Sequence, residues 1–214
     1  MNVFFIDFET TGLNPYHDEI IEFAIKKYNS PEQICSLVKP MKVKMIPSKI
    51  TEITGITTKD IFNIDTTSIS NINACEKIFT FLKEKYEGNG PIYLVAHNGI
   101  LFDFVLLKQL MKMYSKNINT PVANIELFNI YNNIQFIDTL DVSRLMVPHL
   151  YSYSQKNLCK VFNIIQENAH RAIGDVLDLE KIYYTIINYG INTFKLDQEI
   201  MVSTDKLYDF IYNV

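Results

Sequence analysis

The chain has 214 residues, 48% of them apolar and 21% charged, with a formal net charge of −4. This is the composition of a globular chain with a sizeable core, in one generous domain or two small ones. It excludes attraction of a polyanion by the field of the whole molecule, so any nucleic-acid contact must be local or carried by bound cations. Cys35, Cys75 and Cys159 are scattered, odd in number and without C-x-x-C spacing. They point to reduced thiols in a cytoplasmic or nuclear compartment, and away from a zinc knuckle or disulfide frame. The start carries no signal-peptide pattern and no apolar run reaches about eighteen residues, which argues against export and against a membrane span.

Val3 to Ile6 is a short β-rich apolar run and reads as a buried strand. Side chains alternate along a strand, so Asp7 and Glu9 project to one side, about 7 Å apart, while Phe8 points the other way. Two such carboxylates repel each other and resist burial, and a hard divalent cation is the natural offset. Thr10-Thr11-Gly12 turns the chain. Glu19–Tyr28 and Ile34–Val38 read as second and third strands, antiparallel and joined by short turns. Gly55 marks a turn between two short helices within Pro47–Ile61. Asn71–Tyr86 has a helical apolar period. Ile92–Ala96 is a buried strand that leads through His97-Asn98-Gly99 into a helix over Phe102–Tyr114.

Ser115–Asn133 is polar, Asn-rich and poorly periodic, and reads as a long surface loop or insertion. Gln135–Asp138 is the last strand. Short helices follow over Leu140–Met146 and Ser154–Phe162, the latter with Ser154 as N-cap. A final helix starts near Ala172 or Gly174, runs to about Tyr189 and is terminated by Gly190. Residues 191–214 form an amphipathic tail expected to pack on the same domain. Strands first, then helices alternating with further strands, predict an α/β fold with a mixed sheet flanked by helices.

Taken singly, the remaining polar candidates are bland. Asp103 and Asp175 read as acids at helix N-termini. His170 alone reads as a surface histidine and His97 as a satisfied strand-end histidine. Asp138 reads as a helix cap, Asp141 and Asp178 as surface acids. Arg171 reads equally as a phosphate contact or as a solvated side chain. Together they form a pattern. Asp7 and Glu9 end the first strand, Asp103 follows Val95-Ala96-His97-Asn98-Gly99, and Asp175 lies five residues after His170 in His170-Arg171-Ala172-Ile173-Gly174-Asp175.

This set resembles the DEDDh pattern of DnaQ-like 3′→5′ exonucleases of the RNase H-like superfamily, over nearly the whole chain from Val3 to about Tyr189. Ile53-Thr54-Gly55-Ile56-Thr57 and Asp138-Thr139-Leu140 also look like features of that family. The resemblance implies one exonuclease domain over residues 1–190. Its sheet would have three antiparallel strands and further parallel ones. Asp7, Glu9, Asp103 and Asp175 would hold two divalent cations, Mg²⁺ or Mn²⁺, with Asp7 shared between them. His170 would be the general base toward the attacking water, a task that suits its titration range. Thr10, Thr11, Gly12 and Leu13 would line a pocket for the 3′ nucleotide, Asn98 would hydrogen-bond it and Phe102 would stack on a base. The expected partner is nucleic acid, DNA before RNA, with a polymerase or replication complex as a further partner. His97 to Phe104 looks like three-prime repair exonucleases, although the proline-rich loop of some of that group is absent. His170-Arg171-Ala172 looks equally like the proofreading domains of bacterial replicative polymerases. The alternatives are an exoribonuclease with the same mechanism and, from another class, a silent nucleic-acid-binding module.

Overall fold

The computed structural model describes residues 2–88, 90–117, 121–166 and 170–194. Its five strands are β1 (Val3–Thr10), β2 (Ile20–Lys27), β3 (Gln33–Leu37), β4 (Ile92–Ala96) and β5 (Ile134–Asp138). They form one sheet in the order β3-β2-β1-β4-β5. The β1–β2 and β2–β3 pairs are antiparallel, and the β1–β4 and β4–β5 pairs are parallel. The expected mixed sheet is therefore present, with β1 at its centre. β1 extends beyond Ile6 to Thr10, so Asp7 and Glu9 lie within the strand, and its register with β2 shifts between Glu9 and Thr10.

The period of two along β1 sorts its side chains between two cores. Phe4, Ile6 and Phe8 belong to an apolar cluster with α3 (Asn71–Lys85) and α4 (Asp103–Asn117). Val3 and Phe5 belong to the other cluster, with α6 (Thr139–Met146), α7 (Gln155–Val161) and α8 (Ala172–Phe194). Asp7 and Glu9 continue the Val3–Phe5 row and so face α8. β2 is buried almost throughout because both faces are covered. A small third cluster joins Ile21 of β2 to Ile46, Ile56 and Ile61. Around it α1 (Ser48–Thr54) ends at Gly55, which takes φ 72°, and α2 (Thr58–Phe62) starts at a Thr57–Asp60 capping box. Cys35, Cys75 and Cys159 are all free thiols.

Three expectations are corrected. Residues 115–133 are not a long loop: α4 continues to Asn117, and Pro121–Asn132 form α5. Pro121 sits at the helix start, where its missing N–H costs nothing. Leu127 is buried, and Ile130 and Tyr131 pack beside it on the α3 side of the core, an i, i+3, i+4 stripe that the Asn-rich composition hides. Gly190 does not stop the last helix, which runs on to Phe194. Gly190 is buried and keeps helical backbone instead of the left-handed conformation that ends a helix. Asp178 is no surface acid: it is fully buried. It lies one turn after Asp175 on α8, where Gln166 donates to it at 3.1 Å and Lys181 pairs with it at 3.5 Å. The tail beyond Phe194 lies outside the described residues. Among the described residues no helix is long and apolar enough to cross a membrane.

Asp138 caps α6 as expected, accepting from the Leu140 N–H at 2.9 Å, and it also accepts from the Asn98 and Ile100 N–H groups at 2.8 and 3.1 Å. One carboxylate thus ties the end of β5 to the turn that delivers Asp103. Gly99 is required in that turn, because a Cβ there would stand 2.6 Å from that of Ala96 and 2.8 Å from the Phe104 ring. Asp138→Ala removes the acceptor of three backbone N–H groups. It is expected to cost about 2–4 kcal/mol, read as a lower urea midpoint at unchanged m-value.

Candidate active site

The central strand contributes the first two acids. Asp7 and Glu9 are half-buried, and α8 brings Asp175 to them. Among the described residues these three form the group suited to a metal ion, each offering a carboxylate oxygen within 4.8 Å of the others. Asp103, at the head of α4, is 3% exposed and accepts from the Phe8 N–H at 3.2 Å. That bond holds its carboxylate against β1 between the positions of Asp7 and Glu9. Asp103 lies outside the group of three yet is the strongest charged neighbour acting on Asp7.

The electrostatics show what this arrangement lacks. Burial, then Asp103, Asp175, Glu9 and Glu22, push the Asp7 carboxyl well above its ordinary range. Glu9 is pushed up to about 7 by burial, Asp175 and Glu22, against a lowering by Arg171. Asp103 is pushed up to about 8, chiefly by burial. Asp175 is pushed up to about 6, again chiefly by burial, while the charge and backbone N–H of His170 draw it down. Each acid is harder to ionise chiefly because it is buried, and neighbouring carboxylates add to the effect. Half-buried oxygen donors in mutual repulsion fit hard divalent cations such as Mg²⁺ or Mn²⁺.

His170 is exposed at the rim, with a left-handed backbone (φ 65°), two residues before α8 begins. It is therefore beside Asp175, as its spacing implied. His97 is satisfied within the fold, with Nδ1 2.9 Å from the Thr139 hydroxyl. The loop after β1 is tightly made. The Thr10 hydroxyl donates to the Gly12 carbonyl, and the Thr11 hydroxyl accepts from the Glu19 N–H at 3.0 Å. A Cβ on Gly12 would meet the Asp18 carboxylate at 2.5 Å. Leu13 stands 90% exposed at the tip of this loop, an apolar edge open to solvent. Asn98 spends its backbone N–H on Asp138 and takes φ 60°. Phe102 is partly buried against the α4 side of the core.

Sequence reasoning missed Glu22. It pairs with Glu9 across β1 and β2, so both carboxylates point toward α8. It is 1% exposed, and Arg171 chelates it, with Nε 3.2 and 3.1 Å from its two oxygens. The Ala172 N–H donates to the same carboxylate at 2.9 Å. Arg171 is thus engaged with Glu22 while part of its side chain stays exposed. The signal in the chain was an acid inside the apolar run Ile20-Ile21-Glu22-Phe23-Ala24-Ile25, where a strand buried on both faces cannot keep an unpaired charge.

A family model described as RNase_T: Exonuclease matches residues 4–183. The DNA polymerase III PolC-type of Mycoplasma genitalium is 32% identical over 202 residues, 91% of this chain and 12% of that protein. The same-named protein of Ureaplasma parvum is 31% identical over 205 residues, 92% of this chain and again 12% of that protein. The chain therefore spans a small part of the length of these relatives. Among solved structures, E. coli Exonuclease I in complex with a dT13 oligonucleotide superposes with a TM-score of 0.69 at 20% identity. The superposition covers 90% of this chain and 42% of that one. The zinc-ion-bound form of the E. coli ExoI–ssDNA complex gives 0.66 at 19% identity, covering 93% and 41%. These likenesses establish the fold.

The raised carboxyls set a pH dependence. With metal chelated, the folded chain keeps protons on Glu9, Asp103 and Asp175 that the unfolded chain has released above about pH 4. The folded state then binds more protons, so its stability falls as pH rises from about 4 to about 8. Melting in EDTA across that range is expected to show a falling Tm, which Mg²⁺ restores at pH 8 by binding only the folded state. Glu9→Gln is expected to raise the pH 8 Tm in EDTA by roughly 3–6 °C, the equivalent of about 1–2 kcal/mol of repulsion relieved.

Proposed function

The chain belongs to the RNase_T exonuclease family, and we propose that it is a metal-dependent 3′→5′ exonuclease that removes nucleoside 5′-monophosphates from the 3′ end of single-stranded or frayed DNA. The observation that carries this reading is the convergence of Asp7, Glu9 and Asp175 within 4.8 Å, with Asp103 buried beside Asp7 and His170 at the rim beside Asp175. DNA is favoured because the relatives are named as DNA polymerases and the superposed Exonuclease I holds a dT13 strand. The same names support a replicative polymerase as the partner of this domain.

Asp7, Glu9, Asp103 and Asp175 would hold the cations. Bound there, two divalent ions supply the charge neutralisation and Lewis acidity that phosphodiester hydrolysis needs. The His170 imidazole, solvent-exposed and not packed into the core, accepts a proton from the attacking water. The water oxygen bonds to the terminal phosphorus, the P–O3′ bond breaks, and the departing O3′ takes a proton from solvent water. A nucleoside 5′-monophosphate leaves, and the shortened strand keeps a 3′-hydroxyl. Exposed Leu13 offers an apolar edge to the terminal base, and the backbone of Thr10–Gly12 lies next to Glu9 where the sugar would sit. The charge and backbone N–H of His170 draw the Asp175 carboxyl down, which supports placing the base beside this acid.

A time course with 5′-labelled single-stranded DNA and its RNA twin, with Mg²⁺, Mn²⁺ or EDTA, tests the reading. A ladder shortening from the 3′ end with either metal, faster on DNA and absent in EDTA, is expected. Asp7→Ala is expected to abolish it. His170→Ala is expected to keep the Tm and to lower turnover by about 10²–10⁴-fold. Near-wild-type turnover of His170→Ala removes that residue from the mechanism, and preferential cleavage of the RNA twin replaces the DNA assignment.

A further inference from the structure

We infer that the buried Glu22–Arg171 pair is the positioning device of the catalytic centre, a clasp that locks the start of α8 onto β2 so that Asp175 and His170 meet the acids of β1. Glu22 is inaccessible and makes four close contacts, three with the Arg171 guanidinium and one with the Ala172 N–H. Those contacts span about 150 residues of chain and bind the first residue of α8 and the residue before it. His170 is the next residue back, and Asp175 lies one turn further along the same helix, its N–H bonded to the Arg171 carbonyl at 3.0 Å. A planar guanidinium gripping both carboxylate oxygens fixes orientation as well as distance.

The pair also sets charge. Glu22 stands opposite Glu9 in the β1–β2 register, where like charges destabilise the sheet. Arg171 offsets part of that charge: Glu22 still raises the Glu9 carboxyl, and Arg171 lowers it. A direct role for Arg171 on a phosphate would leave its guanidinium turned to the strand, but here it is turned to Glu22. This arrangement is of the kind in which a group that touches no ligand orients the groups that do. The proposal rests on the exonuclease reading for its effect on turnover, and on the carboxylate geometry alone for its effect on metal affinity.

The test replaces Arg171, whose side chain is 43% exposed and therefore removable with the fold kept. Arg171→Gln, Arg171→Lys and Glu22→Gln are compared with wild type in three measurements. These are binding of Mn²⁺ followed by the EPR signal of the free ion, kcat and KM on a labelled oligothymidylate, and Tm. Arg171→Gln and Glu22→Gln are each expected to weaken Mn²⁺ binding by about tenfold and to lower kcat by roughly 10–100-fold, with KM changed less than about threefold. Arg171→Lys, which keeps the charge and loses the fork, is expected to recover Mn²⁺ affinity in part. A raised KM with unchanged Mn²⁺ binding would make Arg171 a strand contact and overturn the proposal. A lowered Tm with kcat and Mn²⁺ binding unchanged would reduce the pair to a stabilising bridge and overturn it too. If wild type binds Mn²⁺ but cleaves no strand, the exonuclease reading fails, and the Mn²⁺ titrations alone decide the clasp.

Discussion

Like charge held at close range is the constraint around which this molecule is built. Asp7, Glu9 and Asp175 share less than 5 Å, and Asp103 adds its charge from a site with no access to solvent. Left to themselves, such groups move apart or take up protons. They cannot move apart because they are fastened to three rigid elements, and the cost appears as carboxyls pushed toward the protonated form. Asp7 and Glu9 lie on the central strand, which is packed on both sides. Asp103 is bonded to the Phe8 N–H, and Asp175 rides on a long helix whose apolar face covers the sheet. The same negative potential that pushes these carboxyls up gives the group affinity for cations.

The supports of the site are polar and buried, and each carries several bonds. Asp138 accepts from two N–H groups of the turn before Asp103 and from the start of α6. Glu22 accepts from the start of α8. Glu19 accepts from the backbone of Met41, Lys42 and Val43 and so ties the loop after β1 to the segment leading into α1. In each case a carboxylate fastens the backbone of a distant segment at the end of the sheet where the four acids gather. Apolar packing places the layers, but packing alone is tolerant to shifts of a fraction of an ångström. Directional bonds to charged acceptors are less so.

Membership of the RNase_T exonuclease family and the RNase H-like sheet order agree with this account. In that order β1 is central, with an antiparallel neighbour on one side and a parallel one on the other. The antiparallel neighbour supplies Glu22, and the parallel neighbour leads into the turn that carries Asp103. Glu22 thus comes from a strand bonded to β1, and Asp138 from β5, one strand further out.

Much of this was legible in the chain, because it depends on local periods. Alternation along Val3–Glu9 placed the two acids on one side. The helical period of Asn71–Tyr86, the glycine at 55 and the cap at Ser154 marked their elements, and the five-residue interval from His170 to Asp175 put both near one helix start. What the chain did not disclose depends on partners remote in sequence. Asn-rich residues 121–132 became a helix because Leu127, Ile130 and Tyr131 found an apolar face on α3. Asp178 is buried where Gln166, twelve residues earlier, donates to it. Gly190 stayed helical because the surrounding packing outweighed its freedom to turn. Glu22 acquired its role only when β2 was laid against β1 and α8 was closed over both. By itself the sequence determined on which kind of element each candidate acid lies, since that follows from side-chain type and local period. Only the tertiary structure decided which charges meet, because the free energy of burying a charge belongs to the pair and not to the residue.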